Sequence, residues 1–229
     1  MVMADSPNSS YLAETEFLNF SYPALQQVIS DLCLDGMSEK EQAVALFYFV
    51  RDQILYDPYT VQLSPENYRA SFTLQAGRGF CITKSALYAA LLRGAEIPAR
   101  LGYADVKNHL TSKKLSEAMG TDIFYYHGYT EVFLQGRWIK ATPVFNASLC
   151  EKAGLHPLDF NGEDDSIFHS FSLSGERHME YVHDRGVRPD LPFDEILNAF
   201  IHYYPAMMKG AGQHAVLDGD FQREVSAGM

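Results

Sequence analysis

Positive charge, cysteine and long apolar runs are all scarce in this chain. Lys and Arg number 18 against 29 Asp and Glu, a formal net charge of −11, and no basic stripe offsets it. Nucleic acids and anionic membranes are held by clustered cations, so neither is expected as a partner. The three cysteines, Cys33, Cys81 and Cys150, are odd in number and widely spaced. That pattern points to free thiols in a reducing compartment and away from a disulfide framework. No window approaches the ~20 apolar residues of a bilayer-spanning helix. The opening MVMADSPNSSYLAETEF lacks the positive start and apolar run of a secretory signal. The expectation is a cytoplasmic protein. What is present, 47% hydrophobic and 21% charged residues over 229 positions, suffices for one domain with a sizeable core. That core is expected over about 15–205, with a polar N-terminus (1–10) and a loose C-terminal tail (209–229).

The chain is organised around Gly77-Arg78-Gly79-Phe80-Cys81, followed by a run of helix formers that reaches Gly94. The glycines allow a turn, and Gly94 is expected just past the helix end. Cys81 then falls in the first helical turn, where unpaired backbone N–H groups and the dipole favour a negative charge. Such a position is expected to lower the thiol pKa from about 8.5. The helix is apolar nearly all round, as a central buried helix is. Against this stands the ordinary fate of free cysteine, which is inert packing; Cys33 and Cys150 are read that way.

Upstream, residues 24–35 carry a short apolar stripe, and Ser38 with Glu41 forms a capping box. The box opens a helix with the stripe Ala43, Leu46, Phe47, Val50 and Ile54. Residues 61–75 show no period and read as loop with at most one helical turn. Ile97 to Val106 reads as a strand, residues 107–122 as a polar excursion with His109 in solvent, and Pro192 opens a helix with Asp194 and Glu195 in its first turn. A hairpin is expected over Ser166–His183, turning at Ser174-Gly175. Glu163-Asp164-Asp165 lacks the spacing of a calcium loop, and His169, His178 and His183 lack that of a zinc site. No metal or cofactor is implied.

The most informative pair of strands runs from Phe124 to Asn146 and turns at Gln135-Gly136. Opposing Phe133 with Trp138 brings Glu131 opposite Lys140 and Tyr129 opposite Thr142, an aromatic and a charge pair in one register. Trp138 is then a core aromatic beside Phe133, and Arg100 is expected to pair with an acidic neighbour. In the same register His127 faces Val144, with Thr142 and Asn146 as diagonal neighbours. A cysteine at a helix start with a histidine on a following strand is the arrangement of thiol nucleophilic catalysis, a third group orienting the imidazole.

Five segments in order resemble the transglutaminase-like superfamily, a papain-like fold whose members carry Cys, His and Asp in that sequence. They are Ala45 to Tyr56, Gly77 to Cys81, Arg93 to Arg100 (similar to a G-I-P-A-R element), His127 to Val132, and Gly136-Arg137-Trp138. The resemblance implies an α+β fold, with a nucleophile helix packed on an antiparallel β-sheet. It also implies Cys81 as nucleophile and His127 as base. The family's aspartate precedes a proline shortly after the tryptophan; here Thr142 stands before Pro143. Thr142 and Asn146 are therefore both candidates to orient His127. The implied chemistry is acyl transfer from a peptide or protein amide through a thioester, with hydrolysis favoured over cross-linking. The alternative is a catalytically silent domain that binds a peptide or partner protein in the same cleft.

Overall fold

In the computed structural model, residues 9–108, 112–168, 172–175, 178–208 and 221–226 are described. The expectations for His109 and His169 lie outside these residues.

Helix α1 (Pro23–Leu32) packs beside α2 (Glu39–Gln53). The capping box that starts α2 forms as the sequence dictates: the Glu41 N–H donates to Ser38 Oγ, and the Ser38 N–H donates to Glu41 Oε2 at 2.8 Å. Its buried stripe is Ala43, Leu46, Phe47 and Val50. Next come β1 (Leu55–Tyr56), α3 (Ala70–Ala76) and β2 (Arg78–Gly79). β1 and β2 pair in parallel, tying the exit of α2 to the loop before Cys81. The stretch expected as loop thus holds α3. Its inward positions include Ala70, Ser71 and Thr73, too small or polar to register as an apolar stripe.

Helix α4 (Cys81–Gly94) is buried from Cys81 to Arg93. Gly94 is its last residue rather than the residue beyond it. The reason for glycine there is packing, because a Cβ would meet Ile29 Cδ1 at 2.4 Å. One face of α4 rests on a four-stranded sheet ordered β5-β4-β3-β6, antiparallel throughout. Its strands are β3 (Ala99–Asn108), β4 (Ile123–Leu134), β5 (Arg137–Ala141) and β6 (Met179–Arg188). The fold is α+β, a buried helix laid on an antiparallel sheet.

The β4–β5 hairpin has the expected register, Phe133 opposite Trp138 and Glu131 opposite Lys140. Gln135 and Gly136 both take positive φ, 52° and 82°, which matches the twist of the flanking strands. Phe133 and Trp138 stack edge to face at 5.2 Å, and Arg100 pairs with Glu131 at 2.7 Å. β5 stops at Ala141, so the expected opposition of Tyr129 to Thr142 and of His127 to Val144 does not form. A bulge also interrupts β4, where Tyr125 and Tyr126 stand against the one residue Asp105 and Tyr126 has φ 57°. The expected Ser166–His183 hairpin lies partly outside the described residues, and among those described its second strand pairs at longer range. β6 lies against β3, and Ser166 makes a parallel bridge to Ala141.

Helix α5 (Lys113–Met119) occupies the expected polar excursion, started by the Leu115 N–H donating to Ser112 Oγ. The chain continues through α6 (Ala147–Ala153), α7 (Phe193–Tyr203), α8 (Pro205–Met208) and α9 (Phe221–Ser226). Of the expected loose tail (209–229) only residues 221–226 are described; they form α9, with Phe221 edge-on to Tyr56 at 5.5 Å. Cys150 is buried and Cys33 half-buried, both as free thiols. No helix among the described residues is long and apolar enough to cross a membrane.

Candidate active site

Phe80 is the N-cap of α4, so Cys81 is the first helical residue, with backbone N–H groups that have no partner inside the helix. Cys81 is 7% exposed. Burial pushes its thiol up to about 11, while the backbone N–H groups of Gly128, Ile82 and Cys81 pull the other way. The expected lowering by the helix terminus is present but outweighed, because taking a thiolate out of water costs more than these N–H groups return.

Strand β4 runs directly over this first turn. A Cβ on Gly128 would lie 3.0 Å from Ile82 Cα and 3.2 Å from the Cys81 carbonyl oxygen, so only glycine lets the strand come so close. His127 precedes it. The imidazole is 2% exposed, its ring 5.1 Å from that of Phe168. Burial, and then the proximity of His178, pushes its pKa down to about 3. Nε2 is buried without a hydrogen-bond partner. Thiol and imidazole are both neutral at pH 7 in this arrangement, and no hydrogen bond joins Cys81 to His127.

The two candidate orienting residues separate clearly. Asn146 Oδ1 accepts from the Tyr56 N–H at 3.0 Å, and its Nδ2 donates to Ser148 Oγ at 2.7 Å. The amide thus joins β1 to the start of α6. Thr142 is fully buried just beyond β5, and its Oγ1 has no partner. Three further hydroxyls share that condition: Ser85, on α4 one turn after Cys81; Tyr103, whose ionisation burial suppresses; and Ser166, bridged beside Ala141. Sequence reasoning missed all three, because Ser85 lies on a helix buried all round, strand alternation makes Tyr103 an ordinary core aromatic and Ser166 sits in a polar loop.

A cavity of about 40 Å³ reaches Cys81, with Tyr56, Phe80, Leu115, Met119, Phe200 and Met207 among its walls. A roomier cleft of about 230 Å³, lined by Tyr129, Lys140 and His183, does not include Cys81. Glu163 and Asp164 form an acidic turn whose N–H groups donate to Asn161 Oδ1. Among the described residues, no three His, Cys, Asp or Glu side chains gather as metal ligands.

No curated protein matches the chain. Among solved structures, it is similar to that of a candidate cysteine protease from Cytophaga hutchinsonii. The identity is 16% and the TM-score 0.45, over 78% of this chain and 53% of that one. It is also similar to a candidate protease from Parabacteroides distasonis, at 13% identity and TM-score 0.39, over 58% of this chain and 26% of that one. The chain spans about half of the first and a quarter of the second. The family model described as the transglutaminase-like superfamily matches residues 26–143. This is more than half of the sequence, and it takes in the nucleophile loop, all of α4 and the β4–β5 hairpin. The chain belongs to the transglutaminase-like superfamily.

Proposed function

We propose that this protein is a cysteine acyl-transfer enzyme that hydrolyses a peptide-type amide through a thioester on Cys81. The observation that carries the reading is the placement of Cys81 as the first residue of α4, directly under the strand that carries His127 and Gly128, where backbone N–H groups face the sulfur although burial holds the thiol neutral. Backbone donors so arranged also suit an oxyanion that develops beside the sulfur.

In acylation the Sγ–C bond forms and the amide C–N bond breaks, while the thiol proton passes through His127 to the departing amine. Water then forms the new C–O bond, the Sγ–C bond breaks, and a proton returns to sulfur. Neither candidate bonds His127 in this arrangement; Thr142, its Oγ1 unpartnered, is the one left able to orient the ring, since the Asn146 amide is held by Tyr56 and Ser148. A hydroxyl accepts from an imidazole N–H but stabilises imidazolium less than a carboxylate does. A base near 3 does not deprotonate a thiol near 11. Burial is the largest cause of both shifts, so admitting water or a polar substrate relaxes them toward each other.

The buried thiol and Thr142 in the family's aspartate position favour a second reading, a silent domain that binds peptide in the same cleft. The rate of Cys81 alkylation by iodoacetamide against pH, in wild type and His127→Ala, decides between them. A plateau reached near pH 6 in wild type and lost in His127→Ala supports the enzyme. A rate that climbs only above about pH 8.5, alike in both proteins, leaves the binding domain.

A further inference from the structure

The cavity at Cys81 is small and carries no charge. Among the described residues, its lining consists of apolar side chains, tyrosines and Cys81 itself. Leu115 and Met119 come from α5, Phe200 from α7 and Met207 from α8, all of them buried. At about 40 Å³ the space exceeds the ~10–15 Å³ that one water needs on the same measure and falls far short of the ~150 Å³ apolar cavity that accepts benzene. An acyl carbon bonded to Sγ lies one bond from the sulfur, so its substituent must enter the space that Cys81 lines. A charged substituent there loses its hydration and meets no counter-charge, a heavy cost. A long or ring-bearing substituent outgrows this space unless Met119 and Met207, which line it, move aside.

We propose that the acyl group transferred to Cys81 is short, uncharged and apolar, of acetyl or propionyl size, and that Met119 and Met207 set its length. This rests on Cys81 acting as the nucleophile and names the acyl side of its substrate. The bond attacked is the amide of a small aliphatic acid. A glutamine side chain or an acidic residue is a poor donor, because its polar end is stranded among these walls.

The test uses the full chain, with adducts mapped to Cys81 by peptide mass spectrometry. p-Nitrophenyl esters of acetic, propionic, hexanoic and succinic acids serve as acyl donors, and iodoacetamide and iodoacetate as a neutral and an anionic alkylating pair. The acetyl and propionyl esters are expected to acylate at least about tenfold faster than the hexanoyl and succinyl esters, the scale of discrimination an apolar pocket reaches. Met119→Ala and Met207→Ala should each raise the hexanoyl rate toward the propionyl rate. Iodoacetamide should outrun iodoacetate by about tenfold more than it does with a small free thiol, a preference that needs no catalysis and no variant. Succinyl transfer or iodoacetate labelling as fast as the neutral partner overturns the proposal. So does a chain-length preference unchanged in both methionine variants. If no ester acylates Cys81 while iodoacetamide still labels it, the nucleophile reading fails and takes the proposal with it. Acylation without preference removes the proposal alone.

Discussion

The two ends of α4 are both buried, and they differ in how fully the polar groups around them are satisfied. At the C-terminal end the Arg93 guanidinium donates to the Ala99 carbonyl at 3.0 and 2.9 Å, to Ala13 O at 2.8 Å, and to Pro189 O. One turn after Cys81, the buried Lys84 ammonium donates to the carbonyls of Arg51 and Ile54, holding the end of α2. Lys84 apart, the N-terminal end is under-satisfied: His127 Nε2, Thr142 Oγ1 and the Ser85 and Tyr103 hydroxyls are buried with no partner. A buried polar group without a partner costs about 1–3 kcal/mol. The saturated groups, Arg93 and Lys84, are scaffold. At the N-terminal end the unpartnered groups are kept at a cost to stability, which is where a site for an incoming molecule is expected.

The sharpest way to break this contrast is at the sulfur. Cys81→Ala is expected to remove amide turnover by a factor on the order of 10⁴ or more and to leave the urea midpoint nearly unchanged. A variant that keeps turnover ends the assignment. Next in size is a matched pair measured by urea unfolding. Arg93→Met strands several carbonyls and should cost at least about 3 kcal/mol. Thr142→Val removes an unpartnered hydroxyl and should be neutral or stabilising by up to about 1 kcal/mol, with turnover lowered about tenfold. Equal losses in the two variants would mean that the ends of α4 do not differ.

The pH dependence sharpens the comparison further. His127 is held neutral, its folded pKa about 3 against an ordinary 6.5. Its contribution to stability is therefore complete above about pH 6.5 and is lost as pH falls toward 3. At pH 5 the loss reaches about 2 kcal/mol, and His127→Phe should remove that part of the acid slope. Cys81 acts in the opposite range: its raised pKa favours the fold below about pH 9 and loses that effect as pH climbs through 11. The smallest effect concerns the cover over the site. Gln222 Nε2 donates to the Tyr56 carbonyl at 3.1 Å, and Phe221 packs on Tyr56 and Tyr59. Phe221→Ala should raise the rate of Cys81 alkylation about threefold by loosening α9.

Much of the scaffold was legible because its causes are local. The Ser38–Glu41 box starts α2, the apolar run from Ala86 to Leu92 makes α4 a buried helix, and two cross-strand pairs select the register of the β4–β5 hairpin. α3 escaped because its buried face includes Ser71 and Thr73, and α9 because six residues make a helix only when packed against something else. The partner of β6 escaped for another reason. The strand itself reads plainly, but it pairs with β3 across some seventy intervening residues, and alternation says nothing about which strand lies alongside.

The sequence by itself determined that a cysteine begins a buried helix and that a histidine lies on the strand that follows, since periodicity and end signals act over a few residues. Only the tertiary structure decided what those residues are chemically. It gave Asn146 to Tyr56 and Ser148, left Thr142 unpartnered, and closed α5, α7 and α8 over Cys81. The same helix start that favours a thiolate in the open holds a neutral thiol here. Desolvation depends on everything packed around a group, and that sum is formed only when the chain is folded.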